Sequence, residues 1–351
     1  MARRFTVPGI DELASRIPLD RFKPPVNLQV RRPPGMPPKV PPWFFREIAY
    51  FSYAIPIGGP VDGETTTQED IFTVSVLTGA VRRITDDRSL PMMKSDRDPA
   101  WSPSRTSLAI HTGTDSGDPV RIVVIDRASG SVIQDLVPGH SPEWLDAGTI
   151  LFLDVVDAGT DAARADVFCV DTATRSVSRI TDVGVGGTIG SLSWHHSAGL
   201  ALGYAEEGGS SPRYSIAVIP AAAVGMARSS GTPVPRAGLT FVTPAVTRAA
   251  TPDWSPSGDR IAVSTWTDGS PSRVGVLSVA TGSLDLVPGP SAAEPGLGDS
   301  GPVFSRDGRL LAFTRGQEDE WSEIWLHTIA SGRNRQLTDD LRTRFKGALD
   351  W

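Results

Sequence analysis

The chain has 351 residues, with 34 Lys or Arg, 40 Asp or Glu and a formal net charge of -6 at pH 7. This balance excludes a whole-chain electrostatic case for binding nucleic acid. The sequence contains no stretch of about 18 apolar residues, and its start has no apolar run of secretory length. We therefore expect a cytoplasmic monomer that contacts neither nucleic acid nor membrane.

The first 44 residues form a predicted arm whose composition differs from the rest of the chain. Ten prolines lie between Pro8 and Pro42, and eight Lys or Arg residues stand against three acidic residues. We expect an extended segment, with one short amphipathic helix after Pro8. Two interpretations stay open: an arm or tail on the outside of the following domain, or a lid that walls a functional site.

From residue 45 onward one pattern recurs. A Pro stands two residues before an aromatic residue, a Ser follows the aromatic, and a polar turn leads into an apolar strand. The clearest copies are residues 98–112, 251–265 and 301–315, with weaker copies at 141–154 and 190–205. We call the aromatic residues the landmarks; they are 43 to 60 residues apart, at Trp101, Trp144, Trp194, Trp254, Phe304 and Trp351. Strand repeats of this length are typical of propeller blades.

Each landmark unit continues with two further strands joined by a turn. The clearest of these second halves are residues 68–86, 164–182 and 321–339. Six second halves predict an all-β, six-bladed propeller over residues 45–351. The most degenerate copy, residues 214–231, is expected to keep the same order of strand, turn and strand.

The first blade lacks a landmark of its own. Residues 46–86 supply three predicted strands, while residues 345–351 are an isolated half copy of the repeat. We predict that this last segment is the inner strand of the first blade. Closure of the ring in this way removes open sheet edges.

The order P-x-W-S-P-x-G, an I-A-x-x strand, an I-x-V-x-D strand and a closing R-x-I/L-T-D resembles the TolB-type propeller repeat, also found in prolyl oligopeptidases. The resemblance implies a six-bladed fold and, from TolB, partner binding. The envelope role of TolB requires export, for which we find no signal. The peptidases add a hydrolase domain, for which this chain has no room. Because GHSPE at residues 139–143 also lacks the last Gly of a nucleophile elbow, we expect no peptidase activity.

The loops predict which face of the propeller carries function. If each inner strand begins at its landmark, the loops between blades share a face with those that join the second and third strands. These loops are long and varied, whereas the turns of the opposite face are short. The loop-rich face is therefore the predicted functional face.

The residues just before the landmarks are candidate site residues: Ala100, Glu143, Ser193, Asp253, Val303 and Asp350. Ring packing would bring the three carboxylates among them together, to bind a cation or raise one another's pKa. Alternatively, they satisfy backbone amides. Two aromatic residues and one arginine in or near the loops complete the predicted ligand-binding set, which is Arg344, Trp266, Trp321 and Asp350.

Among the five histidines, His140 is the strongest candidate acid or base, because it stands at the entry to an inner strand. We predict catalytic roles for His140, Glu143 and Asp253. His195 and His196 are expected to be exposed turn residues. The other two histidines, His111 and His327, are expected to have ordinary structural roles in or beside strands.

The sequence predicts neither a metal nor a cofactor. It has no H-E-x-x-H motif, no calcium loop of the EF-hand type and one cysteine, Cys169, which we expect to be a buried structural thiol. GLGDSG at residues 296–301 fits G-x-G-x-x-G but opens no predicted helix, so it is interpreted as a loop.

Two classes of function stay open. The first is a binding module that holds a small ligand or a protein partner on the loop-rich face, at the mouth of the central channel. The second is a bacterial biosynthetic enzyme, a metal-independent cyclase, isomerase or lyase of secondary metabolism, that uses the channel mouth as its pocket.

Overall fold

A computed structural model describes residues 47–54, 69–86, 94–114, 119–206, 212–244, 247–290, 296–317, 320–340 and 344–351. The predicted arm, residues 1–44, and the pocket wall expected of it lie outside these residues. Within them, no helix is both long enough and apolar enough to span a membrane.

Six antiparallel sheets of four strands each form the blades of the propeller, as predicted. The first blade, from its inner strand outward, consists of β26 (Arg344–Asp350), β1 (Glu47–Ala54), β2 (Asp70–Ser75) and β3 (Val81–Arg83). The second consists of β4 (Lys94–Trp101), β5 (Ser107–Thr114), β6 (Arg121–Asp126) and β7 (Val132–Pro138). The third consists of β8 (His140–Asp146), β9 (Thr149–Val156), β10 (Arg164–Asp171) and β11 (Val177–Arg179).

The remaining blades follow the same order. The fourth consists of β13 (Gly187–His195), β14 (Gly199–Glu206), β15 (Arg213–Ile219) and β17 (Thr240–Phe241). The fifth consists of β18 (Arg248–Trp254), β19 (Arg260–Trp266), β20 (Arg273–Ser278) and β21 (Leu284–Leu286). The sixth consists of β22 (Gly298–Phe304), β23 (Leu310–Gln317), β24 (Trp321–Thr328) and β25 (Arg333–Gln336). A short parallel pair joins the third and fourth blades: β12 (Thr181–Asp182) and β16 (Val234–Pro235).

Strand β26 closes the ring as predicted, because it pairs antiparallel with β1 in the first blade. Lys346 of β26 is only 2% exposed and reaches into the sixth blade. Its Nζ lies 3.0 Å from Glu323 Oε2 and 2.6 Å from Asp340 Oδ2. These two ion pairs connect the closing strand of the first blade to the sixth blade.

The inner strands end at the landmarks rather than beginning there, which corrects one premise of the sequence argument. Trp101 is the last residue of β4, and Trp254 is the last residue of β18. After Trp101, Trp254 and Phe304 a Ser-containing turn leaves the strand at once, so these landmarks cannot also start it. The two kinds of long loop still share a face, because consecutive strands of each blade are antiparallel.

A β-bulge interrupts each inner strand before its landmark. In five blades the residue three positions before the landmark is left-handed, with φ between 44° and 58°: Asp98, Ser141, Thr251, Gly301 and Ala348. In four of these blades the next residue is Pro. A bulge leaves one residue outside the ladder, so a Pro there removes no ladder hydrogen bond. The repeated P-x-W of the sequence is therefore the signature of a bulge.

The fourth blade departs from the predicted strand, turn and strand. Helix α1 (Ala221–Ser230) replaces the turn, and the outer strand β17 lies beyond residues 214–231, which were expected to contain it. Three successive alanines at the start of the helix favour this conformation. Val224 and Ala227 of α1 are buried against the third and fourth blades, so tertiary packing supports the helix.

The closing R-x-I/L-T-D motif is structural. In the third blade, Thr181 Oγ1 donates to Asp166 Oδ1 at 2.7 Å and accepts from the backbone N–H of Val167 at 2.9 Å. Arg179 donates to the other carboxylate oxygen of Asp166 at 2.7 Å. Asp70 in the first blade and Glu323 in the sixth make the corresponding contacts with Thr85 and Thr338. The motif therefore ties the last two strands of a blade together.

Candidate functional site

A cavity of about 470 Å³ runs along the axis of the ring, and all six inner strands contribute to its lining. Its residues precede the landmarks in strands that run from the loop-rich face toward the turn face. The cavity therefore lies on the loop-rich side of the landmarks. Its volume falls within the usual range for small-ligand pockets.

The walls of the cavity differ in character. The arc formed by the second to fifth blades is mainly polar, with Asp98, His111, Ser141, Ser191 and Thr251. The arc formed by the sixth and first blades is mainly apolar, with Phe51, Val303, Phe345, Ala348 and Leu349. The charges of the two cations in the lining, Arg97 and Lys346, are already paired with Glu69, Glu323 and Asp340.

The residues just before the landmarks connect neighbouring inner strands. The Asp253 carboxylate accepts a hydrogen bond from the backbone N–H of Phe304 at 2.7 Å. Ser193 Oγ accepts one from the N–H of Trp254 at 3.1 Å, and the Asp350 carboxylate accepts one from the N–H of Trp101. These contacts match the alternative in which the polar residues satisfy backbone amides.

The carboxyl groups in this layer also hold their protons unusually strongly. Burial raises the pKa of Asp253 from 3.8 to about 7, against the lowering effect of the Phe304 amide and with a further increase from the charge of Asp350. Burial and the charges of Asp350 and Asp253 raise the pKa of Glu143 well above its ordinary value. Burial likewise raises the pKa of Asp350. At neutral pH this layer therefore carries less charge than three ionised carboxylates would.

Replacement of Asp253 by Asn should change how stability depends on pH. The raised pKa means that stability from the protonated carboxyl is present below about pH 4 and is lost as the pH rises toward 7. Between pH 5 and pH 8 we expect the melting temperature of the natural protein to fall on the order of 5 °C more than that of Asp253→Asn. Asp285→Asn, at an exposed position of the same blade, is the control. Equal pH slopes for Asp253→Asn and the natural protein would contradict the assignment.

A second polar cluster lies where the second and third blades meet at the cavity. Ser141 Oγ donates to Asp98 Oδ2 at 2.8 Å, and His140 Nδ1 lies 3.2 Å from the same Ser141 oxygen. His111 Nδ1 lies 3.2 Å from Asp98 Oδ2, and the rings of His111 and His140 meet edge to face with centroids 6.5 Å apart. Four titratable or nucleophilic side chains thus form one contiguous group at the cavity wall.

The protonation states in this cluster differ. Burial raises the pKa of Asp98, but the imidazole of His111 and the hydroxyl of Ser141 outweigh that effect and hold it below its ordinary value. Burial, followed by the charge of His111, lowers the pKa of His140. At neutral pH the cluster therefore combines a carboxylate with a neutral imidazole.

The architecture of this chain is similar to that of solved propeller structures. No protein-family model and no curated protein matches the sequence. The solved structure of TolB from Acinetobacter baumannii matches with a TM-score of 0.60 at 17% identity, over 88% of this chain and 67% of that chain. A putative TolB from Agrobacterium tumefaciens matches with a TM-score of 0.54 at 14% identity, over 86% of this chain and 97% of that chain. The chain has the fold of a TolB-type six-bladed propeller.

The same fold is found within a larger protein. Hydrazine synthase from Kuenenia stuttgartiensis matches with a TM-score of 0.62 at 11% identity, over 87% of this chain but only 46% of that chain. At these identities the likeness extends to the fold alone. Evidence for the function of this chain therefore comes from its own cavity.

The structure separates the predicted site residues into two groups. Glu143, Asp253 and Asp350 line the cavity, and His140 contacts it through Ser141. The other three lie elsewhere. Arg344 bonds to Ser52 and packs on Phe72, Trp266 packs on Tyr214, and Trp321 lines a separate cavity of about 130 Å³.

Sequence reasoning missed Asp98, Ser141 and His111. Asp98 and Ser141 occupy the same repeat position, three residues before the landmark, so aligning the copies at that position would have placed them in adjacent blades. His111 was expected to be ordinary, yet its strand partner is Arg97 at the same cavity. His195 was expected to be exposed but is 8% exposed, because its Nε2 lies 3.1 Å from the carbonyl oxygen of Pro256.

Proposed function

We propose that this TolB-type propeller is a binding module that takes a small amphipathic ligand into its central cavity from the loop-rich face. The observation that carries the proposal is the division of the cavity into a polar arc and an apolar arc. Pockets that combine apolar surface with a few fixed polar groups are typical of small-ligand sites.

The chemistry of the two arcs defines the ligand. Its apolar part would contact Phe51, Phe345 and Leu349, whereas hydroxyl or amino groups would bond to Ser191, Thr251 and their polar neighbours. An anionic group is disfavoured, because Arg97 and Lys346 are already paired and the lining contains the ionised carboxylate of Asp98. The ligand is therefore expected to be neutral or cationic.

The test is a thermal-shift screen of small amphipathic compounds with a variant that fills the cavity. Ser191→Phe places an aromatic ring in the cavity, and Ser331→Phe makes the same change in an exposed turn of the sixth blade. A ligand at 100 times its dissociation constant stabilises its protein by about 2.7 kcal/mol. We expect this stabilisation in the natural protein and in Ser331→Phe, and its loss in Ser191→Phe.

Equal stabilisation of Ser191→Phe would place the ligand outside the cavity and contradict the proposal. A screen without any stabilising compound, together with a protein partner whose binding Ser191→Phe abolishes, would favour the interaction module that binds protein.

A further inference from the structure

Ser141 has an unusual environment for a serine in a β-strand. Its Oγ lies 2.8 Å from the Asp98 carboxylate and 3.2 Å from the His140 imidazole, and the residue itself lines the 470 Å³ cavity. A hydroxyl next to both a base and a carboxylate, facing an open cavity, has the elements of an activated nucleophile.

The β-bulge explains how two consecutive residues come into contact. In a regular strand His140 and Ser141 would point to opposite faces of the sheet. Ser141 has φ 50°, and the register between β8 and β9 shifts at this point. The left-handed residue breaks the alternation and brings both side chains to one side, as bulges do when they re-aim a side chain.

The corresponding positions of the fourth and fifth blades show that the bulge alone does not create this group. Ser191 Oγ accepts a hydrogen bond from the backbone N–H of Thr251 at 3.2 Å, and Thr251 Oγ1 contacts Ser264 Oγ at 2.6 Å. The residues that precede them are Gly190 and Ala250, which supply no base. These two hydroxyls therefore connect strands, whereas Ser141 meets a histidine and a carboxylate.

A second serine and histidine pair on the opposite face provides a further contrast. Ser197 Oγ lies 3.3 Å from His195 Nδ1, a distance close to that of the Ser141 pair. However, His195 Nδ1 accepts the backbone N–H of Ala198 at 3.1 Å, so its lone pair is engaged. His195 cannot serve as a base for Ser197 without losing that hydrogen bond.

We propose that Ser141 is an acyl-accepting nucleophile and that the cavity hydrolyses an ester of a small, neutral or cationic molecule. His140 is the general base, and the Asp98 carboxylate stabilises the imidazolium that forms. This activity goes beyond the proposed binding function, and it differs from a cyclase, an isomerase or a lyase because it transfers an acyl group to water.

The reaction balances in two steps. In the first, the Ser141 O–H rotates from Asp98 to His140 Nδ1, Ser141 Oγ bonds to the ester carbonyl carbon as its proton passes to His140, and the bond to the alcohol oxygen breaks as His140 returns the proton to the leaving alcohol. In the second, a water attacks the acyl carbon, His140 takes its proton, and the carboxylic acid leaves as Ser141 recovers the proton.

The protonation states agree with these roles. The lowered pKa of His140 leaves its imidazole neutral and able to accept a proton at neutral pH. The lowered pKa of Asp98 keeps its carboxylate ionised. We therefore expect the hydrolysis rate to rise with pH as His140 deprotonates and to level off below pH 7.

The experiment treats the full-length protein with a fluorophosphonate probe and locates the modified residue by peptide mass spectrometry, with p-nitrophenyl acetate hydrolysis as a second assay. We expect one modification, at Ser141. Ser141→Ala should lose both activities, His140→Gln should lower the hydrolysis rate about 10² to 10⁴-fold, and Ser197→Ala should retain full activity. Melting curves of each variant show whether it folds.

Modification of another residue, no modification of the folded natural protein, or equal labelling of folded Ser141→Ala would each overturn the proposal. Mapping in the natural protein decides the question even if Ser141→Ala fails to fold. Ligand binding is a separate measurement, because loss of Ser141 should remove the acyl transfer without filling the cavity. A protein that binds ligand but leaves the probe unreacted would keep the binding function and discard the esterase.

Discussion

Deletion of residues 344–351 is expected to abolish folding. The deletion removes β26, so the first blade would lose its inner strand and β1 would present an unpaired edge to the channel. It would also remove Lys346 from between Glu323 and Asp340 in the sixth blade. Because an exposed edge is a template for aggregation, we expect insoluble protein, measured as the soluble fraction after expression.

A point variant separates the ion pair from the strand. Lys346→Met keeps β26 but leaves Glu323 buried without its cation, which typically costs about 3 to 5 kcal/mol. Arg333→Met, at an exposed position of β25, is the matched control and should change stability by less than about 0.5 kcal/mol. A soluble truncated protein with an unchanged melting transition would refute the account of ring closure.

Replacement of Trp254 by Ala should strongly destabilise the protein. The indole is 6% exposed and packs with Val218 of the fourth blade and with Ile261 and Leu277 of the fifth. Loss of a buried indole that joins two blades should lower the free energy of unfolding by about 3 to 5 kcal/mol. Denaturant titration measures the change, if the natural protein unfolds reversibly.

The control for Trp254 lies in the same blade. Leu286 is 53% exposed on the outer strand, so Leu286→Ala should change the free energy of unfolding by less than about 0.5 kcal/mol. If Trp254→Ala left stability unchanged while it removed ligand binding, the landmark would be a site residue rather than a core residue.

The repeat in the sequence predicts the fold well, because the same types of residue pack in the same way in each blade. An aromatic residue at the end of each inner strand fills the gap between neighbouring sheets, and the polar turn after it reverses the chain. Trp101 and Trp254 are buried as this reasoning requires. The isolated segment after residue 344 could be assigned to the first blade only because one half copy was missing elsewhere.

Two local features escaped the sequence argument for physical reasons. The helix α1 replaces a turn in the fourth blade, and its stability depends on Val224 and Ala227 packing against a core that no local pattern reveals. In five blades the bulge before the landmark contains a left-handed residue, a conformation that Asp98, Ser141 and Thr251 adopt without glycine. The side chains at these positions did not predict the left-handed backbone conformation.

Within the candidate site, the sequence predicted only the layer of carboxyl groups that lie just before the landmarks. Glu143, Asp253 and Asp350 share a register position, so the repeat itself brings them together. The cluster around Ser141 could not be predicted without knowledge of the bulge, because Ser141 reaches both His140 and Asp98 only through its left-handed backbone. Arg344, Trp266 and Trp321 were chosen by residue type, and they lie at strand ends away from the central cavity, where Arg344 contacts Ser52 and Phe72 and Trp266 contacts Tyr214.

The pairing of β1 with β26 has a consequence for the newly made chain. The Ser52 hydroxyl bonds to the carbonyl of Phe345, 293 positions later. At about 5 to 20 residues per second, a ribosome needs roughly 15 to 60 s to make that intervening stretch. During that time the apolar strand Glu47–Ala54 has no inner partner, although the blades that follow it can already pack. Slow translation or a shortage of chaperones should therefore affect this protein through its first blade, before any mature molecule exists.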